Sequence, residues 1–400
     1  MTTAPLASAT QRRAALRPGI DALEDSRIAE VAMLGMGQPD VIPLWFGEGD
    51  QPTPSFICEA AARAMAAGET FYTFNLGIPP LRQALAEYET ALHARPVTSD
   101  RVVVTSSGMQ GIFLTVQAIT DPGDNVLVIS PVWPNIRGAI EIFGGEPRDV
   151  ALGRTEDGGF RLDLAALEAA LDVRTKAVFI NSPSNPTGWM MTEEEAQALL
   201  DFTRRHGLWL LADEVYARVV YDRKAATSFL DIIEPDDRVV VINSFSKAWT
   251  MTGWRLGWVV APAELNETYL KLIQYNVSGA PTFIQHAAIT ALREGESFVE
   301  AMRERYRAGR DLVVERLGHL PRIRFRSPDA AFYAFLQVEG LTDSLGFAKR
   351  LLAETKVGLA PGVAFGTGGE GHLRLCFAAS AQRLEPALDR LARWLGRNDF

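Results

Sequence analysis

Residues 238–261 read RVVVINSFSKAWTMTGWRLGWVVA. Two apolar runs, RVVVINS (238–244) and RLGWVVA (255–261), bracket a short polar segment. Apolar residues on consecutive positions, rather than alternate ones, predict strands buried on both faces of a largely parallel sheet. The segment between them makes a poor surface loop. Lys247 and Arg255 lie among Trp249, Trp254 and Trp258, and the stretch contains no acidic residue to pair them. Charges among aromatic residues are usually paired. An anionic, aromatic partner from outside the stretch therefore fits better than two solvated cations in a loop.

The pattern continues outward. RVVVT (101–105), NVLVIS (125–130), KAVFINS (176–182) and GLWLLAD (207–213) are further β-branched runs, separated by helical patterns. In TEEEAQALLDFTRRHG, Thr192 and Glu195 form a candidate capping box, Ala196, Leu199, Leu200 and Thr203 share a face, and Gly207 follows the last turn. This is βαβ organisation: an α/β chain with helices covering a mostly parallel sheet. The texture changes towards both ends. Long helices are expected over 282–294 and 296–318, strands near 330–337 and 371–377, and a final helix from Ser380. The expected division is a large domain over 47–281, a smaller α+β domain from 16–46 plus 282–400, and an N-terminal arm over 1–15.

At 400 residues the chain is long enough for two domains and a large core. Its formal net charge of −9, from 40 basic and 49 acidic residues, argues against nucleic acid or an anionic membrane as the main partner. The two cysteines, Cys58 and Cys376, are far apart and the five histidines lack ligand spacing, so neither a disulfide framework nor a metal site is expected. No signal-peptide core or membrane-length apolar run occurs, and the expectation is a cytoplasmic, soluble protein.

In open α/β sheets, ligands bind beyond the carboxyl ends of the strands. Polar residues follow four of the runs there: Ser106-Ser107-Gly108-Met109, then PSNPTG, then Asp213 and Tyr216, then Lys247. Free N–H groups of a helix beginning at Ser107-Gly108 suit a phosphate, although an ordinary serine cap would read the same way. There is no GxxxxGK[ST], and Gly35-Met36-Gly37 lacks a third glycine, so neither nucleotide fingerprint applies. Asp213 ends an apolar strand. It suits either a helix cap or the carboxylate partner of a cationic ring nitrogen, as pyridoxal phosphate requires. Lys247, partly desolvated beyond a central strand, meets the condition for a Schiff-base nucleophile, and Arg255 could clamp a phosphate. Arg374, inward on the strand GHLRLCF, needs an anion: a substrate carboxylate or an inter-element salt bridge.

These residues bring a resemblance with them. SFSKAWTMTGWRLGW (244–258) resembles the pyridoxal-phosphate lysine signature of class I aminotransferases, in the fold-type-I (aspartate aminotransferase) superfamily. NSPSNPTG (181–188), ADEVY (212–216), HLRLCF (372–377), WFGEGDQPTP (45–54) and YTFNLGIPPLR (72–82) resemble further family segments, in the same order and at similar separations, from about residue 40 onward. The resemblance implies a seven-stranded sheet and a cofactor, pyridoxal 5'-phosphate. It implies that Lys247 takes the cofactor's aldehyde and then shuttles a proton between the substrate α-carbon and the cofactor's C4′. Asp213 would pair with the pyridinium nitrogen, and Asn185 and Tyr216 would hydrogen-bond the ring's phenolate oxygen. Ser107, Gly108, Met109, Ser244 and Arg255 would hold the phosphate, with Trp133 stacked on the ring. Arg374 would grip the substrate α-carboxylate, helped by the backbone at Gly47 and by Asn185. Tyr72 would reach the partner's phosphate across the interface of a homodimer with shared active sites.

The function implied is transfer of an amino group from an amino acid to a 2-oxo acid by a ping-pong route. A lyase on the same fold (cysteine β-lyase or aminocyclopropane-carboxylate-synthase-like) shares every residue named. A ligand-sensing regulator without turnover is the remote reading. Three departures from the family pattern stand out: Gly49 where proline is common, Ser107 where many relatives have glycine, and Ala331 where glycine is usual. The loop NVSGAPT after Tyr275 offers no arginine, which weakens the aspartate reading, since one aspartate-specific subgroup uses an arginine in that region.

Overall fold

The computed structural model describes residues 17–93 and 95–397. The arm expected over 1–15 lies outside the described residues. Seven strands form the large sheet: β1 (Val102–Thr105), β2 (Asn125–Ser130), β3 (Glu146–Ala151), β4 (Thr175–Asn181), β5 (Trp209–Asp213), β6 (Val239–Ser244) and β7 (Gly257–Val260). Their order is β1-β7-β6-β5-β4-β2-β3. The pairs from β6 to β3 are parallel, and β7 runs antiparallel to both of its neighbours.

The opening stretch shows why its residues form this sheet. Along β6, Val239 and Val241 enter one hydrophobic core, while Val240 and Ile242 enter a second core on the opposite face. A strand covered on both sides has no position that tolerates water, hence its unbroken apolar run. Six of the seven strands carry such a run. The exception, β3 (EPRDVA), lies at the edge, where several positions are half-exposed and charged residues are tolerated.

Helix 193–206 begins with the expected capping box. Thr192 Oγ1 accepts from Glu195 N at 3.1 Å, and Glu195 Oε2 accepts from Thr192 N at 2.9 Å. Gly207 closes the helix in the left-handed region, at φ 65°. The expected helices over 282–294 and 296–318 are Thr282–Glu294 and Glu296–Leu317.

The second part centres on an antiparallel sheet of β8 (Ile323–Arg324), β9 (Tyr333–Val338), β10 (Ala360–Pro361) and β11 (His372–Cys376), in the order β8-β9-β11-β10. Helices Arg27–Gly35, Glu296–Leu317, Ser344–Thr355 and Ala381–Leu395 pack around it and on one another. Ile42–Pro43 pairs in parallel with Val357–Gly358, which ties residues near the N-terminus into this part. Helix Thr282–Glu294 packs on Ser55–Ala66 and Pro79–His93. Ala331 has φ 54°, so the usual glycine of that position would relieve a left-handed backbone that alanine here adopts.

Candidate active site

The antiparallel placement of β7 answers the question of the opening stretch. β6 delivers the chain to the carboxyl edge of the sheet at Ser244, and β7 leaves from the same edge at Gly257, which pairs with Ser244. The intervening residues 245–256 therefore stay at that edge, with Lys247 and Arg255 on one cavity. Ser244 Oγ accepts from Ser246 N at 3.0 Å and so starts the short helix Phe245–Ala248 that carries Lys247. Thr250 and Arg255 both adopt positive φ, 50° and 54°. Strained backbone of this kind gathers at functional sites.

Lys247 Nζ donates to Gly47 O at 2.7 Å, and burial pushes its pKa down to about 8. Asp213, only 4% exposed, faces the same cavity from the end of β5. Burial raises its carboxyl pKa to about 7, against the pull of the Val215 N–H at 3.3 Å and the charge of Lys247. Asn181, beside Asp213 in the register of β4 and β5, donates to Asp213 O at 3.0 Å and accepts from Asn185 N at 2.7 Å. One side chain thus fixes the backbone of two other residues of the site. The Tyr216 hydroxyl lies 2.7 Å from that of Tyr333, and burial holds the Tyr216 pKa well above its ordinary value.

Arg374, 2% exposed on β11, donates to Asn185 Oδ1 at 2.8 Å and to the carbonyl of Trp45. Its guanidinium sits over the rings of Tyr333 and Phe365, at 4.7 and 5.0 Å from their centroids. Its Nε is buried without a partner, and among the described residues no carboxylate pairs with it. The inter-element salt bridge is therefore not formed, and a buried arginine remains short of an anion. Arg255 stands exposed at the rim, its Nη1 donating to Thr252 O at 2.7 Å.

Helix Gly108–Ile119 points its N-terminus at the cavity. Ser107 caps it by accepting from Gln110 N at 3.0 Å, and the hydroxyl of Ser106 is buried without a partner. Gly257 permits this approach, since a Cβ there would stand 2.6 Å from Gly108 N. The tryptophans pack: Trp249 and Trp258 cluster on Phe245, Trp258 donates to Glu89 at 2.8 Å, and Trp254 donates to Thr53 at 2.9 Å.

Of the residues singled out in the sequence, Gly47, Gly108, Met109, Trp133, Asn185, Asp213, Tyr216, Ser244, Lys247, Arg255 and Arg374 line a single cavity of about 370 Å³. Ser107 adjoins it without lining it. Tyr72 lies outside it and is 96% exposed. The cavity also takes in Ile28, Phe46, Glu48, Asn181 and Tyr333, which sequence reasoning had not placed there. Tyr333 sits in an apolar strand, and Asn181 ends an apolar run. Only the pairing of strands discloses either.

A mostly parallel sheet that brings a lysine, an aspartate and an arginine to one edge defines the class, a fold-type-I enzyme. The chain belongs to the family described as aminotransferase class I and II, whose model matches residues 39–391. It is 36% identical to the aspartate aminotransferase of Pyrococcus abyssi, covering 95% of this chain and 98% of that one. It is also 36% identical to aromatic-amino-acid aminotransferase 2 of Thermococcus litoralis, with the same coverage. A solved structure of a single mutant of Thermus thermophilus aspartate aminotransferase superposes with a TM-score of 0.87 at 34% identity, covering 95% and 99% of the two chains. The protein is an aminotransferase.

Proposed function

We propose that the cavity holds pyridoxal 5'-phosphate and exchanges amino groups between an amino acid and a 2-oxo acid in a ping-pong cycle. The observation that carries this reading is the convergence of Lys247, Asp213, Arg255 and Arg374 on one cavity of suitable size. The donor set fits the cofactor. The helix start at Gly108, the Ser244 hydroxyl and the Arg255 guanidinium suit a phosphate, and a buried carboxylate suits a cationic ring nitrogen. Bound there, the cofactor supplies an aldehyde for amino groups and a ring that withdraws electrons from the substrate α-carbon.

The remaining work belongs to the chain. Ser107, Gly108, Met109, Ser244 and Arg255 hold the phosphate, and Trp133 covers the ring. Asp213 balances the charge of the ring nitrogen. Asn185 and Tyr216 donate to the ring oxygen; Tyr216 keeps its proton because burial raises its pKa. Arg374, with Asn185 and the backbone of Gly47, fixes the substrate's α-carboxylate. Lys247 Nζ takes the proton from the substrate α-carbon, and its depressed pKa keeps a useful fraction neutral near pH 7 to 8.

The proposal extends to a cytoplasmic homodimer in which Tyr72 of one chain serves the other's phosphate. Its near-complete exposure beside Phe71 and Phe74 supports this, as apolar rings seldom stand in water together. Among the described residues no helix is long and apolar enough to cross a membrane. The proposed domain division runs between 16–46 plus 282–400 and 47–281, with helix Thr282–Glu294 at its seam.

The test is visible absorbance of the purified protein during titration with single amino acids. Donors convert the aldehyde form to the amine form, and a 2-oxo acid converts it back. Lys247→Ala is expected to lower turnover by at least about 10³-fold, within the range of general-base contributions. Normal turnover by that variant would remove the central assignment. Release of pyruvate and ammonia from one amino acid, with no acceptor consumed, would instead identify a lyase.

A further inference from the structure

We infer that the preferred amino donor has an uncharged, apolar or aromatic side chain, and that dicarboxylic donors are disfavoured. The inference rests on the aminotransferase reading above and names the substrate class of that same site.

The cavity is lined by three cations, Lys247, Arg255 and Arg374. The proposed chemistry uses each one: Lys247 for the aldehyde, Arg255 for the phosphate and Arg374 for the α-carboxylate. No lysine or arginine among the lining residues remains for a second substrate carboxylate. The lining not used by these groups presents two large apolar side chains, Ile28 from helix Arg27–Gly35 and Phe46 just before Gly47. The other carboxylate on the lining besides Asp213 is Glu48, which accepts from Thr252 Oγ1 at 3.1 Å and bears the same charge as an incoming side-chain carboxylate.

A second copy of the chain adds no lysine or arginine through the segments proposed to face the shared site. Between Arg63 and Arg82, the stretch containing Tyr72, the sequence has no lysine or arginine. The same holds between Lys271 and Arg293, the stretch containing NVSGAPT. A side-chain carboxylate entering this cavity gives up water, meets apolar surface and faces a like charge. An apolar side chain gains from the same surface. The inference separates this chain from relatives whose names specify aspartate.

The test uses the dimeric holoenzyme in single-turnover spectroscopy with phenylalanine, leucine, aspartate and glutamate. Phenylalanine and leucine are expected to react with second-order rate constants at least about tenfold above those of aspartate and glutamate. Equal or faster reaction of either dicarboxylic amino acid overturns the inference and leaves the aminotransferase reading standing. A spectrum unmoved by every amino acid removes that reading, and the inference with it.

Two variants probe the wall directly. Ile28→Lys supplies the missing cation and is expected to raise the aspartate-to-leucine rate ratio at least about tenfold. Glu48→Gln removes the like charge and is expected to raise the ratio several-fold. A ratio unchanged in both variants overturns the assignment of this wall to the substrate side chain.

Discussion

Tyr333 shows how much a single hydroxyl can be asked to do. It lies 2.7 Å from the Tyr216 hydroxyl, its ring supports the Arg374 guanidinium, and a Cβ on Gly47 would stand 2.1 Å from its oxygen. It therefore braces the proposed groups for the ring oxygen and the α-carboxylate, and a larger residue at position 47 would have to displace its hydroxyl. Tyr333→Phe removes the hydroxyl and keeps the ring. The expected fall in kcat/KM is about five- to tenfold, the worth of roughly one hydrogen bond. Kinetics equal to those of the native protein would reduce Tyr333 to a space-filling ring. Ser107 is a different lesson: its cap on Gln110 is the ordinary structural one, and the same cap aims the helix N-terminus at the cavity.

At the scale of elements, the buried end of helix Pro79–His93 is held by charge. His93 lies 3.3 Å from Glu89 and 3.2 Å from Asp231, while Glu89 also accepts from Trp258, the last tryptophan of the opening stretch. Burial opposes a charge on His93, but the hydrogen bonds to Asp231 and Glu89 outweigh it and raise the pKa to about 10. A folded pKa above the unfolded value of about 6.5 contributes stability that is complete below pH 6.5 and lost as pH rises through 10. The stability difference between the native protein and His93→Gln, read by urea unfolding, should thus be largest near pH 6 and shrink towards pH 10. A difference that stays constant over that range would mean that His93 is not charged in the folded protein.

For the whole molecule, the sharpest expectation concerns shared sites. If Lys247 and the Tyr72 that serves it come from different chains, Lys247→Ala and Tyr72→Ala chains complement each other. Mixing equal amounts of the two proteins under subunit exchange should make about a quarter of all sites native, because half the dimers are mixed and each mixed dimer holds one intact site. Absence of recovery in verified mixed dimers would confine the site to one chain. Much of this architecture was legible in the residues. Strands buried on both faces need unbroken apolar runs, so six of seven announced themselves, and the ligand-binding edge followed from what comes after each run. The edge strand Glu146–Ala151 did not, because partial exposure lets charged residues into it. Lys247, Asp213 and Arg374 are legible because each is a polar residue set where burial demands a partner; Asn185 is reached through the family resemblance of NSPSNPTG. The sequence by itself therefore determined the sheet, its helices and the chemical types at its edge. Tertiary structure alone decided that β7 reverses direction and returns Arg255 to Lys247, that Asn181 ties Asp213 to Asn185, and that Tyr333 meets Tyr216 from another sheet. The hydrogen bonds of Asn181 and Tyr333 join residues 4 to 117 positions apart, and local patterning records what a residue needs without recording which distant residue supplies it.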